Sequence, residues 1–203
     1  MINWINYVLY SALWKLVRYL PEGIAYKVFE SLAGILYRRN GKRVQRLRIN
    51  YRHVAPDVSA VELEEMVKDG LRSAMRYWCD TFRFPTWNKE RINSTVTVTR
   101  EELLLDGIKS GRGVIVALPH AGNWDHAGAY FCSLGIPLVT VAERLKPEAL
   151  FQRFLRYRQA MGFEVLSIDS RSFATLMQRA REKRLIALVA DRDLSASGVD
   201  VSF

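Results

Sequence analysis

From about residue 95 onward the chain alternates short apolar runs with helical segments, and this alternation limits the fold more than any other feature. Val114-Ile-Val-Ala-Leu118, Pro137-Leu-Val-Thr-Val141, Glu164-Val-Leu-Ser-Ile168 and Leu185-Ile-Ala-Leu-Val-Ala190 have strand length. Between them, Trp124–Ser133, Pro147–Met161 and Ser172–Lys183 carry helical spacing, and Glu101–Ser110 forms a helix that stops at Gly111. Strand, helix, strand in this order builds βαβ units around a mostly parallel sheet. The strands are nearly unbroken apolar runs, which predicts burial on both faces. Ahead of the first run, Thr95-Val-Thr-Val98 is β-branched.

The first part of the chain reads differently. Trp4, Val8, Ala12 and Leu16 recur at helical spacing, with Ile5, Leu9, Leu13 and Leu20 beside them. Tyr7, Tyr10, Trp14 and Tyr19 add rings with a polar edge, suited to a headgroup zone. The segment is either a helix packed on the core or one lying flat in a membrane interface. Pro21-Glu-Gly23 breaks it. A second helix follows over Ile24–Tyr37, with Val28, Leu32, Ile35 and Leu36 as the expected buried face, and Asn40-Gly41 ends it. Ser59-Ala-Val-Glu62 is a capping box that opens a helix through Leu63, Met66, Val67, Leu71, Met75 and Trp78. The expected organisation is one domain over 1–203, cut short at its C-terminus, with a helical part over 1–80 and an α/β part over 95–203. The last residues, Gly198–Phe203, read as the start of another strand.

Charge narrows the partners. The 203 residues carry a net charge of +9. Arg38, Arg39, Lys42, Arg43, Arg46, Arg48 and Arg52 fall between Ser31 and Pro56 with no acid among them. This reads as a basic amphipathic helix, either a solvated face or a surface for anionic lipid. Nucleic acid is not expected, because the aromatic residues cluster at the N-terminus and not among the bases. The charge-free run Met1–Trp14 is short of the ~20 residues of a membrane span and lacks the flanks of a secretory signal. A peripheral protein on the cytoplasmic face of the plasma membrane is the expectation. Cys79 and Cys132 have neither metal nor redox spacing and are expected to be buried thiols. No metal or cofactor is expected.

In a parallel sheet the reactive groups gather beyond the carboxyl ends of the strands. Pro119-His120-Ala-Gly-Asn-Trp-Asp125 follows the first run, Ala142-Glu143-Arg144-Leu145 the second, and Asp191-Arg192-Asp193 the last. These loops should converge. A histidine beside a carboxylate can act as a general base, the acid fixing its tautomer and supporting the imidazolium. Gly122 lets the backbone bend close to a ligand, and a helix starting near Asn123 offers free amides for an oxyanion.

The string Leu-Pro-His120-Ala-Gly-Asn-Trp-Asp125, preceded by Gly113-Val-Ile-Val-Ala, closely resembles the His-x4-Asp block of the glycerolipid acyltransferase superfamily. The resemblance is to the branch of the lipid A late acyltransferases and the actinobacterial phosphatidylinositol mannoside acyltransferases. Ala142-Glu143-Arg144-Leu145-Lys-Pro-Glu148 and Asp191-Arg192-Asp193-Leu194 point to the mannoside enzymes. It covers most of the chain. It implies a glycerol-3-phosphate acyltransferase-like α/β fold preceded by membrane-associating helices. It implies transfer of a long acyl chain from acyl-CoA, a co-substrate, to a mannose of phosphatidylinositol mannoside. His120 and Asp125 would match the family's paired catalytic residues, His120 as the base and Asp125 or Asp191 as the acid that orients and supports its protonated ring. Glu143, Arg144, Arg158 and Asn123 would bind substrate, and Asp191 would be the acid of the later strand. The mannoside enzymes carry Glu where this chain has Asp191, one methylene shorter. The rival readings are a lipid A-type enzyme using acyl carrier protein and a non-enzymatic basic membrane-binding module.

Overall fold

The structure, a computed structural model, describes residues 2–144, 146–168 and 171–191, without the side chains of residues 2–7, 9 and 10. The side chains of Trp4, Ile5, Tyr7, Leu9 and Tyr10, the residues Leu145, Arg192, Asp193 and Leu194, and the strand expected at Gly198–Phe203 lie outside the described residues.

Val8–Thr86 belongs to one compact unit, and residues up to Tyr7 together with the chain from Trp87 on belong to a second. The first is helical: α1 (Ile2–Tyr19) from Val8 on, α2 (Glu22–Arg39), α3 (Lys42–Val54) and α4 (Ala60–Arg83), closed by a 3-10 turn at Phe84–Thr86. Asn40 ends α2 in the left-handed region (φ 45°), its N–H reaching Leu36 and Tyr37 carbonyls. The Ser59–Glu62 capping box opens α4 in both directions. The core of this unit is aromatic: Phe82 of α4 meets Trp14 of α1 at 5.3 Å and Phe29 of α2 at 6.0 Å between ring centroids. Buried Arg83 donates to the Val17 and Leu20 carbonyls at the end of α1, which have no helical partner.

The expected buried face of α2 is corrected here. Ala25, Phe29 and Ala33 are the buried residues, whereas Val28, Leu32, Ile35 and Leu36 are 44%, 41%, 37% and 38% exposed. The two alanines permit close approach to α4, so the packing face is chosen by small size around one ring rather than by the strongest hydrophobes. Leu16 and Tyr19 of α1 are exposed as well.

The second unit holds α5 (Lys89–Ser94), α6 (Glu102–Lys109), β1 (Val114–Leu118), α7 (Trp124–Ser133), β2 (Leu138–Ala142), α8 (Glu148–Ala160), β3 (Phe163–Ser167), α9 (Ser172–Arg181) and β4 (Leu185–Val189). The four strands form a parallel sheet in the order β1-β4-β2-β3. The β-branched stretch Thr95–Val98 forms no strand. The Thr95 hydroxyl donates back to the Arg91 carbonyl at the end of α5, and Thr95 Oγ1 lies 3.1 Å from His126 Nε2 on α7.

Burial on both faces holds for the inner strands only. Leu138 and Val139 of β2 and Leu185 and Ile186 of β4 are buried, while Ile115 on the outer strand β1 is 65% exposed. Cys79 is buried but Cys132 only half so. Burial pushes the Cys79 thiol up to about 11. Gly113 (φ +73°) starts β1 where an added Cβ would lie 2.8 Å from the Lys183 Cα, so glycine alone allows β1 and β4 to begin side by side. Among the described residues, no helix is long and apolar enough to cross a membrane.

Candidate active site

Strand register builds the site. β1 and β4 are neighbours with Leu118 opposite Val189, and the Ala190 N–H continues the ladder to the Leu118 carbonyl at 2.9 Å. His120 and Asp191, each two residues beyond that pair, therefore leave the sheet together. Nδ1 of His120 lies 2.5 Å from Oδ1 of Asp191. The bond to the imidazole holds the Asp191 carboxyl below its ordinary range. Both side chains keep a solvent-facing share, 30% and 38% exposed. The shorter aspartate arm thus reaches the ring, because adjacent strands deliver the two groups.

Asp125 occupies a different position. Its residue is 2% exposed, and its two oxygens accept from Arg158 Nε at 3.0 Å and Nη2 at 3.3 Å. This forked pair ties the first turn of α7 to α8. Asn123 caps α7, its side-chain oxygen accepting the His126 N–H at 3.0 Å. Gly122 sits at φ +63° in open space, which leaves the loop backbone accessible. Glu143 and Arg144 follow β2 and are exposed. Arg144 donates to Glu148 in the first turn of α8 at 2.8 Å. So the structure joins His120 to Asp191 and Asp125 to Arg158, and turns Arg144 to the first turn of the following helix α8.

Sequence reasoning gave no role to Trp124, whose ring lies 5.4 Å from that of His120 at an interplanar angle of 78°. Its place inside the His120–Asp125 block was the signal. Nor did it locate the cavity of about 480 Å³ lined by Ala117, Leu118, Pro119, Ala190 and Asp191. Among the described residues that line it, Asp191 alone carries a polar side chain. Among the described residues, no group of three His, Cys, Asp or Glu side chains is placed to hold a metal ion.

An imidazole with Nδ1 held by a carboxylate presents Nε2 as a base, beside a largely apolar cavity. Comparison with known proteins points to acyl transfer. The family described as bacterial lipid A biosynthesis acyltransferase matches residues 1–203. The chain is 40% identical over 197 residues to a phosphatidylinositol mannoside acyltransferase of Mycolicibacterium smegmatis, covering 96% of this chain and 64% of that protein. It is 37% identical over 199 residues to one of Mycobacterium tuberculosis, covering 96% and 62%. The chain therefore spans less than two thirds of the length of these curated relatives. With the match running over all 203 residues, the chain belongs to the bacterial lipid A biosynthesis acyltransferase family.

Proposed function

We propose that this protein moves a long-chain fatty acyl group from acyl-CoA to a mannose hydroxyl of phosphatidylinositol mannoside, with His120 as general base. The observation that carries the reading is the His120–Asp191 contact at 2.5 Å, at the edge of an apolar cavity. The names of the relatives supply the acceptor.

The geometry supports the following step. The mannose hydroxyl gives its proton to Nε2 as its oxygen attacks the thioester carbonyl. Asp191, on Nδ1, fixes the tautomer and supports the imidazolium. The tetrahedral oxyanion takes hydrogen bonds from amides near Asn123. Its collapse breaks the carbon–sulfur bond, and the imidazolium returns the proton to the leaving thiolate. Ester and free CoA result, with no acyl-enzyme. The apolar cavity receives part of the acyl donor. Glu143 and Arg144 are exposed beyond β2, where they can meet sugar hydroxyls or phosphate. Asp125 and Arg158 hold α7 and α8 about the loop.

The reaction takes place at the cytoplasmic face of the plasma membrane, to which the protein binds peripherally. The exposed apolar residues of α1 and α2 support this, together with the basic residues Arg38 to Arg46. The test is an acyl-transfer assay of the full-length protein with phosphatidylinositol mannoside, offering acyl-CoA and acylated carrier protein separately. Transfer from acyl-CoA, lost in a folded His120→Ala variant, is the expected result. Substantial turnover by that variant removes the proposed base, and transfer from carrier protein alone removes the proposed donor.

A further inference from the structure

We propose that Trp124 is a positioning residue whose indole fixes the plane of the His120 ring. The inference rests on His120 being the base. One hydrogen bond to Nδ1 restrains the imidazole, but coupled rotations about Cα–Cβ and Cβ–Cγ can still tilt the ring while keeping that bond. A second contact away from that nitrogen removes the freedom, and the Trp124 ring supplies it, nearly perpendicular at 5.4 Å. Asp191 holds one edge from the end of β4, and the indole braces the ring from the start of α7. Nδ1 is the ring nitrogen held by Asp191, and the His120 side chain keeps 30% of its surface exposed.

The indole is itself well anchored. Trp124 opens α7 between Asn123, which caps the helix through the His126 N–H, and Asp125, which Arg158 grips with two bonds. Among the described residues, Asp191 faces the ring from beyond the end of β4, and Asp125 on α7 is paired with Arg158 of α8. A near-attack geometry of a base tolerates little rotation, so a brace of this kind acts on turnover and not on substrate binding.

The experiment compares Trp124→Phe, which keeps an aromatic ring, with Trp124→Leu in the full-length protein. The expected result is kcat within about threefold of wild type for Phe and about tenfold lower for Leu, with KM for both substrates within about twofold. Adding Trp124→Leu to Asp191→Asn should cost less than it costs alone, because both restrain one ring. In wild type, a nuclear Overhauser contact should join the indole to the His120 ring. The proposal is overturned if Leu matches wild type, if Phe and Leu lose equally, if the loss lies in KM alone, or if the Overhauser contact is absent. That last measurement needs no variant and decides the matter should Trp124→Leu not fold. His120→Ala remaining inactive while Trp124→Leu turns over normally would sink this inference alone and leave the base in place.

Discussion

Nδ1 of His120 and Oδ1 of Asp191, 71 residues apart in sequence, lie within 2.5 Å of one another because β1 and β4 are adjacent and in register. A carboxylate in this place selects the tautomer with the proton on Nδ1 and leaves Nε2 to accept one. Asp191→Asn offers an amide that can select the wrong tautomer. Its kcat should fall about 10²–10⁴-fold with the fold unchanged. Asp191→Glu, which keeps the charge on a longer arm, should retain much more. Equal loss in the two variants, read from initial rates, would show that charge at this position is not what matters.

Asp125 and Arg158 form the buried counterpart of that exposed pair. The Asp125 side chain is 3% and that of Arg158 18% exposed. Removing one partner strands a charge in a poorly solvated place, which costs about 3–5 kcal/mol. Asp125→Ala should lower the unfolding free energy by that order in urea titrations. Adding Arg158→Leu to it should cost less than the two single losses summed. A variant at Asp125 that loses turnover at unchanged stability would instead assign this carboxylate to the imidazole.

The sheet was legible because each strand is an apolar run ended by a turn, and the loops that follow the runs could be named in advance. What could not be read was which side chains of the converging loops touch. Strand order β1-β4-β2-β3 differs from chain order, so the His120–Asp191 contact depends on a crossover that local periodicity does not encode. The five-residue spacing to Asp125 drew attention to the nearer acid, yet α7 begins between them and carries that acid to Arg158. On α2 the apolar residues outnumber the positions one packing face can take. Periodicity then identifies a helix but not which side Ala25, Phe29 and Ala33 turn to α4.

Glu64 makes one stretch of the helical unit sensitive to acid. Arg48 donates to it from Nε at 2.5 Å and Nη2 at 2.9 Å, and Tyr37 donates its hydroxyl at 2.8 Å. Those bonds hold the Glu64 carboxyl down to about 2, from an ordinary 4.5. A depressed carboxylate favours the folded state above its unfolded value, and that contribution disappears as pH falls from about 4.5 through about 2. The group is a third exposed, so solvent screening keeps its worth to about 1 kcal/mol or less. Glu64→Gln should therefore be less stable than wild type at pH 7 by up to that amount. The gap should narrow steadily in urea titrations run toward pH 3. A gap that widens with acid would mean the sign is wrong and the network does not act through ionised Glu64.

Ile24, Val28 and Leu32 recur every fourth residue along the solvent side of α2 and are 51%, 44% and 41% exposed. If that side meets lipid, replacing all three by Gln should leave the helical unit folded, since none contributes to its core. Even about 1 kcal/mol lost per side chain should weaken binding to anionic vesicles by about 100-fold. Phe29→Ala on the opposite side is the control. Its ring packs against Phe82, and its loss should destabilise the unit by about 3–5 kcal/mol. Flotation with vesicles and thermal melting separate the two effects. Unchanged flotation of the triple variant would show that these residues do not hold the protein at a membrane, whatever the chemistry of His120.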